Sequence, residues 1–380
     1  MAYNRSSGAT KVAILLPSAC DAGWLLRGRA LAQAVAAAGF RAEVGLTGAP
    51  PDRPVPEHLA SGFRDLPGVG YRRLAWQTVP AEIFTAIHGP ALLPSGVAQV
   101  SLPFDWGWHF LDCDVWLLCG DPGLGLVPAL RPSLVYCRDL AMRYVPEGFA
   151  ASTEDPAWDR LDQAFLGWRA AAALLVADPF VARDLADYAG IRRNRIHCLA
   201  PLLGTEAAPR DSAAAPMLLW WLAAGEALPA EAASALARLL AAVPGLRVVV
   251  AGPGAAQATL PLRHDRLSLV AEDGEAERRF LLGQATLLCS AAATAFEGDA
   301  AWLAACGPGR LVAPDLPELT AAASRLGVAL HPCPSGEPTV LAATLASAVR
   351  AGPVSVTPTP APAQPALAAL LQEVLRHAAA

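Results

Sequence analysis

At 380 residues, of which 54% are hydrophobic and 17% charged, the chain is too long for one typical core and too apolar for disorder. The formal net charge is −5, Lys11 is the only lysine, and no basic stretch is dense enough for a nucleic-acid tract. No apolar run approaches the roughly 18–20 residues that cross hydrocarbon, and the strand-length apolar run after residue 11 has no leader-type cleavage pattern behind it, so a cytoplasmic location is expected.

In chain order, a short apolar strand (11–16) precedes a periodic helix (24–38), which Gly39 stops, and a second strand (41–46). That strand–helix–strand unit opens a doubly wound sheet. Residues 49–69, crowded with Pro50, Pro51, Pro54 and Pro56, read as an irregular connection, and 71–102 carry only weak signals. Alternation returns with a strand (114–118), a helix ending near 130, a strand (134–137), a helix (157–172), a strand (174–177), a helix (179–188) and a closing strand (195–199). After a Pro- and Ala-rich stretch (200–216), a second series repeats the pattern. Its strands are expected at 217–222, 246–251, 267–270, 286–289, 310–313 and 328–331, its helices at 229–243, 275–283, 299–306, 317–325 and 339–350. Residues 353–365 alternate Pro with small residues as an extended strap, and 366–378 form an amphipathic helix that needs a partner.

The division expected is therefore a flexible N-terminus (1–10), an N-terminal Rossmann-like domain (11–205), a linker (206–216), a C-terminal Rossmann-like domain (217–352), and a strap with a helix (353–380) returning to the first domain. The eight cysteines (Cys20, Cys113, Cys119, Cys137, Cys198, Cys289, Cys306 and Cys333) form no CxxC pair, which argues against a zinc site or a disulfide framework and predicts buried thiols. The seven histidines show no ligand spacing, and no metal is expected. There is no GxSxG elbow, Walker A loop or HExxH motif.

Four segments carry candidate chemistry. Val135-Tyr136-Cys137-Arg138-Asp139-Leu140 leads into Tyr144-Val145-Pro146-Glu147, and Ala224-Gly225-Glu226 follows the first strand of the second series. Ala251-Gly252-Pro253-Gly254 forms a turn after a strand, where glycines allow close backbone approach to a ligand or a tight bend. Phe296-Glu297-Gly298 is followed by Ala304-Ala305-Cys306-Gly307. With the two α/β halves and the strap, these segments resemble the GT-B glycosyltransferases, and among them the retaining group 1 or family 4 enzymes, over nearly the whole chain.

That resemblance implies an α/β fold of two Rossmann-like doubly wound domains facing a central cleft. The substrate implied is a nucleotide-diphosphate sugar donor, bound without further cofactor, and the acceptor a glycan, lipid or protein hydroxyl. It assigns Glu297, Gly298, Gly225, Gly252 and Gly254 to the donor side and Gly23, Arg138 and Asp139 to the acceptor side. The sequence departs from the family pattern at the donor site. Arg138 stands where the family has a histidine near the transferred sugar, and a guanidinium cannot exchange a proton near neutral pH. Glu226 and Glu231 occupy the neighbourhood of two basic residues that meet the diphosphate, and Trp302 stands at the second of two glutamates.

Three readings stay open: an active retaining transferase; a non-catalytic member of the fold serving as a glycan-binding module or as partner of a catalytic glycosyltransferase; and a divergent transferase whose donor charge is met by arginines such as Arg27 or Arg138. The aromatic run Phe104-Asp105-Trp106-Gly107-Trp108-His109-Phe110 reads as a buried strand and turn, or as a surface that stacks on a sugar or a partner.

Overall fold

The computed structural model describes residues 9–17, 22–47, 57–120, 124–144, 157–199, 215–222, 228–252, 254–255, 258–260, 262–271, 275–290, 299–333, 337–356 and 363–379. Contacts divide the chain into two units, one of Met1–Cys20, Trp24–Leu202 and Ala361–Ala380, the other of Asp21–Gly23 and Leu203–Pro360.

The first part of the chain runs β1 (Lys11–Leu15), α1 (Ala22–Ala37), β2 (Arg41–Leu46), α2 (Glu57–Arg64), β3 (Val69–Arg73), β4 (Trp76–Pro80), α3 (Ala81–His88), β5 (Gln99–Pro103), β6 (Val115–Gly120), β7 (Ser133–Cys137), α4 (Ala141–Tyr144), α5 (Ala157–Ala170), β8 (Ala173–Val176), α6 (Pro179–Asp187) and β9 (Ile196–Cys198). Seven strands form one sheet in the order β3-β2-β1-β6-β7-β8-β9, with every pairing parallel. Both faces must then be covered, and the central strands are nearly all apolar: β1, β6, β7 and β8 bury Val12 to Leu15, Val115 to Gly120, Ser133 to Cys137 and Ala173 to Val176. One face packs on α1 around Ile14, Val44, Leu117 and Tyr136, the other on α5 and α6 around Leu15, Trp116, Val135 and Phe165.

The second part comprises β10 (Met217–Trp221), α7 (Ala232–Ala242), β11 (Arg247–Gly252), β12 (Leu267–Ala271), α8 (Glu275–Gln284), β13 (Leu287–Cys289), α9 (Asp299–Cys306), β14 (Arg310–Ala313), α10 (Pro317–Leu326), β15 (Ala329–Pro332), α11 (Pro338–Arg350) and α12 (Ala363–Ala379). Its six strands are all parallel in the order β12-β11-β10-β13-β14-β15, the arrangement in which the second half of a doubly wound sheet starts again beside the first strand. The last helix, α12, belongs to the first unit. Leu367, Leu370, Leu371 and Val374, at i, i+3, i+4 and i+7, are buried among α1 and the first sheet.

Three local expectations change. The helix expected to end near residue 130 is absent: residues 125–129 are coil. Ser101 takes the carbonyls of Leu124, through its hydroxyl at 2.5 Å, and of Leu126, through its N–H at 2.9 Å, and Pro128 offers no N–H to continue a helix. The supposed loop at 49–69 contains α2, whose Ala60 and Phe63 fill the core one turn apart. The weakly patterned 71–102 forms β3 and an antiparallel β4–β5 ribbon carrying α3, with a small core of Val79, Phe84, Val100, Leu102 and Leu126.

The start of the strap is tied to the second sheet. Val354 N–H donates to the Pro308 carbonyl at 2.9 Å and Arg310 Nε to Gly352 O at 2.7 Å, while Val356 packs on the core. Gly309, at φ +64°, has no room for a side chain, because a Cβ there would stand 2.0 Å from the Val354 carbonyl oxygen. Gly309→Ala is therefore expected to destabilise the second unit by about 2 kcal/mol. A lowered urea midpoint checks this, and an unchanged midpoint would mean that the strap moves aside without cost.

Candidate functional site

In an open parallel sheet a crevice forms beyond the carboxyl ends of the strands, where the strand order reverses. In the first sheet the reversal lies between β1 and β6, in the second between β10 and β13.

Beyond β1 and β6 a narrow cavity of about 20 Å³ is lined by Leu15, Leu118, Gly120, Leu124, Trp76 and Trp168, among others. Trp76 is fixed there by its indole N–H, which donates to the Leu16 carbonyl at 2.9 Å. One strand away, Arg138 and Asp139 follow the end of β7. Arg138 Nε donates to Asp139 Oδ2 at 2.7 Å, and its guanidinium lies 5.2 Å from the centre of the Trp24 ring. Arg27, buried one turn further along α1, approaches the same ring at 6.0 Å. Trp24 in turn meets Tyr136 of β7 edge-on at 6.2 Å. Two guanidiniums on one indole, worth about 0.5–2 kcal/mol each, are held beside the first turn of α1, where Gly23 lies. Arg138 cannot serve as a base; it can only orient or neutralise.

Neighbouring acids have structural work. Asp178 caps α6, accepting the Phe180 N–H at 2.7 Å. Buried Asp184 fastens α4 to α6 through Arg143 and through Tyr144, whose hydroxyl donates at 3.0 Å. Away from the carboxyl ends, buried Glu43 accepts from Arg41 at 2.8 Å and Arg72 at 3.0 Å, and Arg72 also pairs with Asp112 at 2.7 Å. Cys113 lies beside this network, and burial pushes its thiol up to about 12. Of the seven cysteines described, Cys198 alone is exposed. Among the described residues no three His, Cys, Asp or Glu side chains assemble to hold a metal, and no helix is long and apolar enough to cross a membrane.

In the second unit the segments that carry Gly225 and Glu297-Gly298 leave the sheet from β10 and β13, the two strands that flank its reversal. Gly225, Glu297 and Gly298 themselves, with Glu226, lie outside the described residues. Gly252 ends β11 at φ +112°, pressed against Leu222, whose carbonyl oxygen would stand 2.3 Å from a Cβ; the Gly254 N–H donates to that same oxygen at 3.1 Å. Both glycines thus hold the turn beside the end of β10. Trp302 of α9 is buried in the core, and its indole N–H has no partner among the described residues.

Sequence reasoning singled out Arg138 and Asp139, of which the structure places the Arg138 guanidinium on the Trp24 ring and Asp139 against that guanidinium, and Gly23, which precedes Trp24 in α1. It gave no notice of Trp76 and Trp168, which converge from β4 and α5 and share no local pattern.

No family model matches the chain, and no curated protein matches it in sequence. Solved structures do. Over 97% of this chain and 95% of its own, UGT2 of Phytolacca americana, complexed with UDP-2fluoro-glucose and pterostilbene, is similar at 14% identity and a TM-score of 0.54. A glycosyltransferase from Rickettsia africae is similar over 97% and 93% at 9% identity and 0.52. S. aureus MnaA, in a co-structure with UDP, is similar over 88% and 87% at 11% identity and 0.56. The chain has the GT-B fold. At such identities the likeness shows the fold alone.

Proposed function

We propose that the chain binds a nucleotide-diphosphate sugar on its second unit and acts as a glycosyltransferase, passing the sugar, with retention of configuration, to a hydroxyl of a glycan, lipid or protein held by the first. One observation carries the reading. The segments bearing Gly225 and Glu297-Gly298 emerge from the two strands that flank the reversal of the second sheet, where a doubly wound sheet takes its ligand. The fold neighbours that carry UDP or a UDP-sugar support the same class of donor.

In the transfer, the bond from the anomeric carbon to the diphosphate oxygen breaks and a bond to the acceptor oxygen forms. The acceptor proton passes to the departing diphosphate. Gly225 and the first N–H groups of α9 contact the phosphates, because glycine admits close approach and a helix start favours negative charge. Glu297 accepts from sugar hydroxyls. Gly252 and Gly254 keep the neighbouring turn in place, and Gly23 lets the acceptor approach the start of α1 closely. Arg138, oriented by Asp139 and Trp24, serves the acceptor side, where its guanidinium N–H groups donate to acceptor oxygens.

A second reading, a non-catalytic GT-B protein that partners a catalytic glycosyltransferase or binds glycans, draws on two observations. Arg138 is a clamped cation where the resemblance expects a proton-exchanging histidine, and Trp302 is core where it expects a glutamate. Hydrolysis of UDP-sugar without acceptor separates the two. Under the first reading the wild type turns over and Glu297→Ala is slower by roughly a hundredfold. No turnover by either protein, with donor still bound, establishes the second.

A further inference from the structure

The aromatic run that follows β5 is not a strand, and two of its rings face solvent. Phe104 and Trp108 are 54% and 65% exposed, and the chain turns at Trp106 with φ +61°, the one positive φ at a non-glycine residue among those described. So bulky a residue adopts that backbone only when its surroundings enforce it. Here Asp105 accepts the Gly107 N–H at 3.2 Å and the His109 N–H at 2.6 Å, while Trp106 packs on the small core beside His88.

The same framework fixes Phe104 at both ends. Its N–H donates to Ala75 O at 2.6 Å, and its carbonyl accepts from Gln77 Nε2 at 2.8 Å. A half-exposed ring on a fully anchored backbone is preorganised, so ordering it on binding costs little. Beside it runs a groove of about 230 Å³, lined by Arg73, Phe104, Asp105 and His109 over a floor of Leu74 and Phe110.

The lining selects the ligand. Asp105 opposes an anion and Arg73 opposes a cation, so neither charge sign is favoured. A neutral polyol satisfies both groups, because each hydroxyl donates to the carboxylate or accepts from the guanidinium. The exposed phenyl face calls for an apolar C–H surface. A pyranose ring combines the two, and the volume suits a single ring better than a drug-sized ligand. We propose that this groove is a sugar-binding site for one neutral pyranose residue of a glycan, stacked on Phe104 and hydrogen-bonded by Asp105, Arg73 and His109. The site rests on the first unit alone and holds whether or not the second transfers sugar.

The test is saturation-transfer difference NMR on the full chain, with the methyl glycosides of glucose, galactose, mannose and N-acetylglucosamine, and glucuronic acid as the charged control. At least one neutral glycoside binds, with transfer concentrated on the ring C–H protons. Phe104→Ala weakens that binding roughly tenfold, as loss of one stacked ring does, while Phe104→Tyr retains it. Binding of UDP, measured in parallel, is the same in the wild type and in Phe104→Ala, which separates this site from the donor site. Silence from all four glycosides, binding unaltered in Phe104→Ala, or preference for glucuronic acid would each overturn the proposal.

Discussion

Gly252→Ala is expected to cost the second unit about 3 kcal/mol. Two effects combine. A φ of +112° lies outside the regions open to residues with a Cβ, and the new methyl would stand 2.3 Å from the Leu222 carbonyl oxygen. Neither can relax by a side-chain rotation, because both partners are backbone. The Leu222 oxygen also accepts the Gly254 N–H, so moving it loosens the turn between β11 and the end of β10. Urea unfolding followed by a probe in the second unit should show a markedly lower midpoint, and weaker donor binding should accompany it. A variant as stable as the wild type would show that the turn is not packed as described.

Arg72→Met is expected to cost the first unit about 3 kcal/mol at neutral pH, the usual penalty for leaving a buried charge short of its partner. Glu43 is buried, and Gly70 is the residue that leaves room for its carboxylate. Arg72 bonds it at 3.0 Å and reaches Asp112 and the His109 carbonyl with its other nitrogens. Methionine keeps the bulk and removes every donor. Acid should expose the same network in the wild type. The hydrogen bonds from Arg72, then those from Lys11, outweigh burial and hold the Asp112 carboxyl well below the usual carboxylate range. A depressed folded pKa means stability that is full above the ordinary Asp value of about 3.9 and is lost as pH falls through the depressed one. Wild-type stability should therefore drop below about pH 4, and that acid limb should be shallower in Arg72→Met. Parallel pH profiles for the two proteins would remove Arg72 from this role.

Much of the fold is legible in the sequence because fully buried parallel strands are written as short continuous apolar runs, such as Val12 to Leu15 and Leu287 to Cys289, between periodic helices. Where the code is not local, reading fails. Phe63 and Ala60 form a helix beside a proline cluster because the first sheet offers them a core, and residues 125–129 stay coil because Ser101, more than twenty positions earlier, takes the carbonyls of Leu124 and Leu126. Of the candidate site, Arg138 and Asp139 are visible as a charged pair at a strand end, but their partner Trp24 lies more than a hundred residues away on α1. The ion network of Lys11, Glu43, Arg72 and Asp112 spans a similar separation and has no motif at all. By hydrophobicity Phe104 and Trp108 read equally as core or as a stacking surface; the backbone around the left-handed turn at Trp106 leaves both exposed.

The proposal that the second unit takes a nucleotide-diphosphate sugar is tested most directly by isothermal titration calorimetry of the full chain with UDP, UDP-glucose and GDP-mannose. A saturable heat with micromolar Kd for at least one of the three, weakened in Gly252→Ala, is the predicted result. A flat titration with all three, on protein whose unfolding transition is intact, would contradict it.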